Sequence, residues 1–205
     1  MLEDAGPQSI AGWASGVSPG PASESSQLVT FTVGSDNPGL FAAQPAVASD
    51  GALTYTPAAN ANGVATVTVT ALDDGGTANG GDDTSAPRSL TISVTAVNDA
   101  PSFSAGLSQV AISLLGGQSV SGWATGITPG PANESSQAVT FVVTTNNPGL
   151  FAVQPAVAPD GTLTYTPRLL GLGVATVTVR AVDNGGTGNG GSDTSSPQTF
   201  TITII

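Results

Sequence analysis

The sequence predicts an all-β protein made of two tandem Greek-key β-sandwich domains arranged end to end, and three observations support this. Residues 13–95 recur as residues 123–205 at a constant offset of 110, without a gap and with 54 of 83 positions identical. An ungapped repeat of this length indicates two whole domains of about 100 residues each, a common domain size. Within each copy, apolar residues alternate with Thr and Ser, and 27 Gly and 15 Pro supply many short turns.

Alternation with a period of two places the individual strands. It is clearest over residues 63–72, where Ala65, Val67 and Val69 alternate with Thr. Pro45 donates no ladder hydrogen bond, so the strand that begins at residues 40–41 should lie at a sheet edge or end early. The strands expected in the first copy are residues 8–14, 28–33, 40–41, 52–56, 63–72 and 88–97. A segment before the Trp strand, residues 107–114 in the second copy, brings each domain to about seven strands.

A short stretch between the two copies is expected to join them. The prediction divides the chain into residues 1–97, an inter-repeat linker at 98–104, and residues 105–205. Pro101 fixes its own φ and favours an extended Ala100, whereas a flexible linker would be rich in Gly and Ser. Asn98 and Asp99 add an amide and a carboxylate. We therefore expect a stiff joint that carries oxygen ligands.

Composition and charge exclude several classes of function. Fourteen acidic residues face three Arg and no Lys, so the net charge is −11, which disfavours nucleic acid and anionic membranes as partners. The absence of His and Cys excludes disulfides, Cys/His zinc sites and catalytic triads with a His base. No stretch approaches the roughly 20 apolar residues of a membrane span. Because Met1 leads straight into a polar segment, we interpret the chain as a piece of a longer protein.

The end of the first copy carries a family likeness. The segment from Val69 to Phe103, with its ALDDGG strand end and its VNDAP linker, resembles the end of a cadherin repeat. The motifs EDAGPQS, NPGLF, DGTLTYTP and VNDAP make it still more similar to the bacterial cadherin-like and Ig-like repeats of large secreted or surface adhesins. The likeness covers essentially the whole chain, twice. It implies an Ig-like sandwich, a role in cell adhesion and an extracellular location.

The resemblance also implies calcium at the repeat junctions. Matched residue by residue, the expected ligands are Glu3 (with Asp4), Asn98, Asp99, Glu134 and Asp183, and Asp73 for a junction with a preceding repeat. Two departures reduce the number of ions expected. Asn60 and Asn62 replace an acidic motif, and the PGPANESS loop offers only Glu134 where the family has an Asp-x-Asp pair. We therefore expect one or two Ca²⁺ ions and not a cluster of three.

Simpler interpretations exist for each candidate. Asn98 and Asp99 could form an Asx turn that holds a strand end. The Gly-rich loops at 73–87 and 183–197 could be solvated, or could hold calcium locally through Asp82, Asp83 and Asp193. Neighbouring carboxylates on one loop do not suit glycoside hydrolysis, which needs two carboxyls across the bond. Each Trp is expected in a core and not on a sugar-binding surface.

Taken together, the sequence favours a structural extender, a stalk of repeats with calcium-stiffened junctions, and not an enzyme. Its partners would be neighbouring repeats of the same polypeptide, with any cell-surface glycan or protein bound through other domains. The alternative is an adhesion module that itself binds a glycan or a receptor. Two nearly equal copies with 5% aromatic residues argue against that alternative.

Overall fold

The computed structural model describes the whole chain and forms two compact units, Met1–Ala96 and Val97–Ile205. Both are built from β-strands and contain no α-helix, so the predicted all-β class is confirmed. The helical elements are single 3₁₀ turns at Ala22–Glu24, Pro38–Leu40, Ala78–Gly80, Ala132–Glu134, Pro148–Leu150 and Gly188–Gly190. None of them could cross a membrane.

The first unit is a sandwich of two antiparallel three-stranded sheets. Its strands are β1 (Gln8–Ile10), β2 (Val29–Ser35), β3 (Phe41–Val47), β4 (Leu53–Pro57), β5 (Gly63–Asp73) and β6 (Arg88–Val94). One sheet has the order β1-β4-β3 and the other β2-β5-β6. Pro45 lies in β3, an edge strand, as its missing N–H requires.

The second unit repeats this plan and adds strands at its start. Its strands are β7 (Ser102–Ser104), β8 (Gln109–Ala111), β9 (Gln118–Val120), β10 (Thr125–Thr128), β11 (Thr140–Thr145), β12 (Phe151–Val157), β13 (Leu163–Pro167), β14 (Gly173–Val182) and β15 (Gln198–Ile204). The sheets have the orders β11-β14-β15-β8 and β12-β13-β9, with β10-β7 as a separate pair. Strand β8 is parallel to β15, and the other pairs are antiparallel.

The long central strands build both cores. In β14, Ala175, Val177 and Val179 are fully buried, while the Thr residues between them point outward. Ala65 and Val67 occupy the equivalent buried positions in β5. Burial of alternate residues on one face is what the period of two in the sequence predicts.

Two expectations change in the structure. Residues 98–104, expected as a separate linker, belong to the second unit, because Phe103 is buried in its core and β7 pairs with β10. The strand counts are six and nine, in place of about seven in each domain. The strand expected at residues 8–14 ends at Ile10, since Gly12 turns the chain with φ +65°.

Candidate cation-binding site

Asn98 is anchored to the second unit through its side chain and its backbone. Its Nδ2 donates to Asp183 Oδ1 at 2.9 Å and to the carbonyl oxygen of Ser192 at 2.8 Å. Its Oδ1 accepts from Gln137 Nε2 at 2.8 Å, and its carbonyl oxygen accepts from Ser192 N at 2.8 Å. A side chain bonded to three residues in two separate loops of one unit is fixed in position and does not act as a mobile linker residue.

Asp99 and Glu134 lie next to this group. The backbone N–H of Asp99 donates to Glu134 Oε1 at 2.8 Å. Glu134 ends the 3₁₀ turn Ala132–Glu134 and is only 5% exposed, which is rare for a carboxylate. Asp99 is half-buried. The Glu134 carboxylate is therefore held against the backbone of Asp99, the residue after Asn98, and is almost fully shielded from water.

Asp183 follows the end of β14 and is 6% exposed. Its Oδ1 accepts from Gly185 N at 2.8 Å as well as from Asn98, so the Asx turn forms at Asp183. Its Oδ2 is buried without a hydrogen-bond partner, and the same is true of Gln137 Oε1. A buried acceptor without a partner costs free energy comparable to a lost hydrogen bond. The two oxygens therefore fit an additional ligand such as a cation.

Gly130 and Gly185 provide the space that the Glu134 and Asn98 side chains occupy. A Cβ on Gly130 would overlap the Glu134 carboxylate, and a Cβ on Gly185 would overlap Asn98 Oδ1. Neither glycine has a positive φ. The requirement at both positions is therefore space for the neighbouring polar group.

We expect Gly185→Ala to displace the Asn98 side chain and to destabilise the second unit by about 1–3 kcal/mol, the usual cost of overpacking. Gly188→Ala is the matched control, because it lies in the same loop and a Cβ there meets nothing within 4 Å. Chemical denaturation of both variants gives the comparison. Equal stability of the two variants would contradict the packing argument.

The first unit contains side chains equivalent to Asp183 and Gln137, but no segment equivalent to the one that carries Asn98. Asp73 Oδ1 accepts from Gly75 N at 2.8 Å, as Asp183 does from Gly185. Gln27 corresponds to Gln137 and also has a buried Oε1 without a hydrogen-bond partner. Asp73 is half-buried, whereas Asp183 is buried.

Glu3 also lies in the first unit and is only 3% exposed. Its backbone N donates to the carbonyl oxygen of Thr95 at 2.9 Å, and its Oε2 accepts from Asn62 Nδ2 at 3.2 Å. Asp4 Oδ1 accepts from Asn60 N at 2.9 Å. The structure therefore groups Asn98, Asp99, Glu134 and Asp183 in the second unit and places Glu3 and Asp73 in the first.

Gln137 is a site residue that the sequence reasoning missed. The signal that could have found it is the ESSQ motif, which is identical in both copies and places a Glu and a Gln three residues apart in a loop. Asp83 and Asp193, candidates for a local calcium site, accept hydrogen bonds at 2.9 Å from the hydroxyls of the Thr residues that follow them. These bonds account for their positions without a metal.

The donor set decides which ligand the group could hold. It consists of carboxylate and amide oxygens, which suit a hard cation such as calcium. No group of three or more acidic side chains is placed so that it could hold a metal ion by itself. Amide, backbone or water oxygens would therefore have to complete the coordination.

Comparisons with known proteins support the fold. No family profile matches the chain, and no curated protein matches it. The EC1-2 fragment of human protocadherin-24, crystal form II, is 17% identical with a TM-score of 0.53, covering 87% of this chain and 82% of that one. The EC1-3 fragment of mouse protocadherin-24 is 16% identical with a TM-score of 0.50; the match covers 87% of this chain, which spans 59% of that fragment. The two units thus have the Ig-like β-sandwich fold of cadherin extracellular domains.

Proposed function

We propose that the chain is a pair of structural repeats from the stalk of a large bacterial surface or secreted adhesin, and that calcium stiffens its inter-repeat junction. The observation that carries this proposal is the bonding of Asn98. It connects the segment between the repeats to Asp183 and Gln137, beside a buried carboxylate oxygen that has no hydrogen-bond partner. An extracellular location follows from the same proposal, since millimolar calcium is available there.

Calcium suits this group for two reasons. It takes six to eight oxygen ligands, including carboxylates, side-chain amides and backbone carbonyls. The residues that would hold it are Asp183, Glu134, Asp99 and Asn98, and Gln137 is an additional donor. When bound, the ion supplies positive charge among carboxylates in a chain of net charge −11.

The binding would act on the first residues of the second unit. Asn98 and Asp99 follow the last residue of the first unit by two and three positions. Fixing Asn98 and Asp99 on the rest of the second unit reduces the conformational freedom of the backbone where the two repeats are joined. Pro101 extends the stiffening, because its φ is already set. A stalk needs stiff joints, because flexible joints would bend and the stalk would not hold its terminal domains at a fixed distance.

A structural role also agrees with the rest of the chemistry. The two copies share 54 of 83 positions, so neither has acquired loops of its own for a receptor. The chain has no His, Cys or Lys, so a His base and a Cys or Lys nucleophile are absent. The partners we propose are the neighbouring repeats of the same polypeptide, and glycan or receptor binding would belong to other domains.

Calcium at about 1 mM is expected to stabilise the second unit by about 1.4 kcal/mol if the dissociation constant is about 0.1 mM, a value typical of extracellular sites. For a domain of this size that corresponds to a rise in melting temperature of about 5–8 °C. Asp183→Asn should remove most of the rise, because it deletes one buried charge and keeps the side-chain volume. The measurement is calorimetry in calcium and in chelator.

Asp36→Asn is the matched control. It removes the same charge from the chain, yet Asn146 already occupies the equivalent position in the second repeat and makes the equivalent hydrogen bond to Thr176 N. This variant should keep the full calcium shift. If wild type, Asp183→Asn and Asp36→Asn all respond equally, the proposed site is wrong. Small-angle scattering tests the joint, because a stiffer joint should narrow the distribution of overall dimensions of the chain in solution when calcium is added.

A further inference from the structure

Equivalent residues of the two units differ in burial along one groove. Three pairs show it: Trp13 and Trp123, Ala71 and Ala181, Ser85 and Ser195. The second-unit members are 3%, 0% and 5% exposed, respectively. Their counterparts in the first unit are half-buried at Trp13 and Ala71 and exposed at Ser85. Because the residue types are identical in each pair, the difference in burial must come from another segment that packs on these residues in the second unit.

The covering element is the segment that begins with the linker. Strand β7 pairs with β10 and buries Phe103 to 7% exposure, with its ring 5.2 Å from the ring of Phe141. The carbonyl oxygen of Leu107 accepts a hydrogen bond from Trp123 Nε1 at 3.1 Å. Strand β8 then adds to the edge of β15. One continuous segment, residues 98–111, thus covers the groove from end to end.

The first unit has the same groove without that cover. We call it the acceptor groove; it has a volume of about 330 Å³, and its lining includes Trp13, Ala14, Ser15, Phe31, Ala71 and Arg88. Val17, equivalent to Ile127 of β10, is 41% exposed. Where β15 forms three residue pairs with β8, the first unit has a single bridge, Leu2 with Thr95. Most of the outer edge of β6 is therefore unpaired.

The end of the groove near Asp73 is polar, and it too lacks the segment that covers its counterpart in the second unit. Asp73 and Gln27 lie where Asp183 and Gln137 bind Asn98 in the second unit, and Gln27 Oε1 is buried without a hydrogen-bond partner. In the second unit Gln137 Nε2 donates to Asn98 Oδ1 at 2.8 Å, and Gln27 Nε2 would make the equivalent bond to the side-chain amide oxygen of an Asn in the same position. The acceptor groove and this polar end together match one ligand: an extended segment with Asn-Asp at its start and a Phe five residues after the Asn, the spacing of Asn98 and Phe103.

We propose that the acceptor groove is a strand-binding site, and that its occupant is a segment of the same polypeptide with the chemistry of residues 97–110, that is, an inter-repeat linker followed by the first strands of the repeat itself. The proposal rests on the proposed function, since it requires tandem repeats. Its energy would come from burying the Phe between Trp13 and Phe31 and from pairing the free edge of β6. It does not require calcium.

The repeat offset sets the register for a direct test. Ala111 is the equivalent of Met1, so a copy of residues 97–110 fused ahead of Met1 places the Asn and the Phe at their expected positions. In a Trp123→Phe background, Trp13 is the only Trp and reports on the acceptor groove. The fusion should shift its emission to shorter wavelength, lower its quenching by acrylamide several-fold, and raise the first unit's melting temperature by several degrees.

The matched control is the same fusion with Phe→Ala at the position equivalent to Phe103, which should lose most of the emission shift. Amide hydrogen exchange along β6, measured with both Trp residues present, is a second readout and should slow only in the fusion with Phe. All measurements are repeated in chelator. An effect that persists there supports the strand site even if the calcium proposal fails.

Two results would overturn the proposal. One is a fusion that leaves Trp13 emission and β6 exchange unchanged, since the groove would then bind no strand of this chemistry. The other is a concentration-dependent dimer of the original chain that persists in the fusion. That result would make a second copy the occupant in place of the fused segment.

Discussion

Phe103→Ala is expected to lower the free energy of unfolding of the second unit by about 3–5 kcal/mol, the usual range for truncating a buried Phe. The ring is 7% exposed and packs edge-to-face on Phe141, in a core cluster that includes Trp123. Its loss removes this aromatic contact and leaves a cavity. It also weakens the anchoring of β7, a strand of only three residues.

Leu107→Ala is the matched control for this prediction. Leu107 lies four residues further along the same segment, but its side chain is 84% exposed. The hydrogen bond from Trp123 goes to its backbone and survives the substitution. A change of less than about 0.5 kcal/mol is expected, as for other surface positions. Denaturant unfolding in a Trp13→Phe background, where Trp123 is the only emitter, measures both variants, and similar losses would show that Phe103 has no special role in the groove.

The sequence predicted the regular parts of this fold well because they repeat at short range. In β5 and β14 the alternation of apolar residues with Thr is a local property, and it determines which face is buried. The hairpin turns at Gly51 and Gly161 are local in the same way, since Asp-Gly before an alternating segment is a strong turn signal. These elements need no knowledge of distant residues.

The start of the second unit could not be predicted in the same way. Phe103 stands in a Pro/Ser-rich stretch inside residues 98–104, the predicted linker. Its burial depends on Phe141 and Trp123, which are distant in sequence, and no local period records such a contact. The same holds for Gln137, whose hydrogen bond to Asn98 spans 39 residues. Family resemblance predicts Asn98 and Asp183 as ligands, because their motifs are recognisable without the contacts.

The two repeats also differ where the family expects acidic ligands. Glu3 and Asp4 of the first copy correspond to Ser113 and Leu114 of the second, and Asn60 corresponds to Leu170. Leu114 and Leu170 are 68% and 76% exposed. At two of these three positions, Leu114 and Leu170, an oxygen donor is thus replaced by an apolar side chain in the second copy. We therefore expect calcium to affect the group around Asn98 and not these positions.

The second large effect is expected for Gly161→Ala, which should destabilise the second unit by about 2–5 kcal/mol. Gly161 has φ +83°, where an L-residue costs about 1–2 kcal/mol. A Cβ there would also overlap the carbonyl oxygen of Ala124 and come within 3.3 Å of Ile127, which adds about 1–3 kcal/mol of overpacking. The Ala124 N–H donates to the carbonyl oxygen of Gly161 at 2.9 Å, so the two backbones cannot separate without losing this bond.

Gly116→Ala separates the two contributions to this loss. Its φ of +72° imposes a similar conformational cost, but a Cβ there meets nothing within 4 Å. We expect it to lose only about 1–2 kcal/mol. Gly51→Ala should reproduce the larger effect in the first unit, where φ is +82° and the Cβ would overlap the carbonyl oxygen of Ala14. Thermal and urea unfolding measure all three, and equal losses for Gly161→Ala and Gly116→Ala would show that close packing of the Trp123–Ala124 segment on this turn contributes nothing.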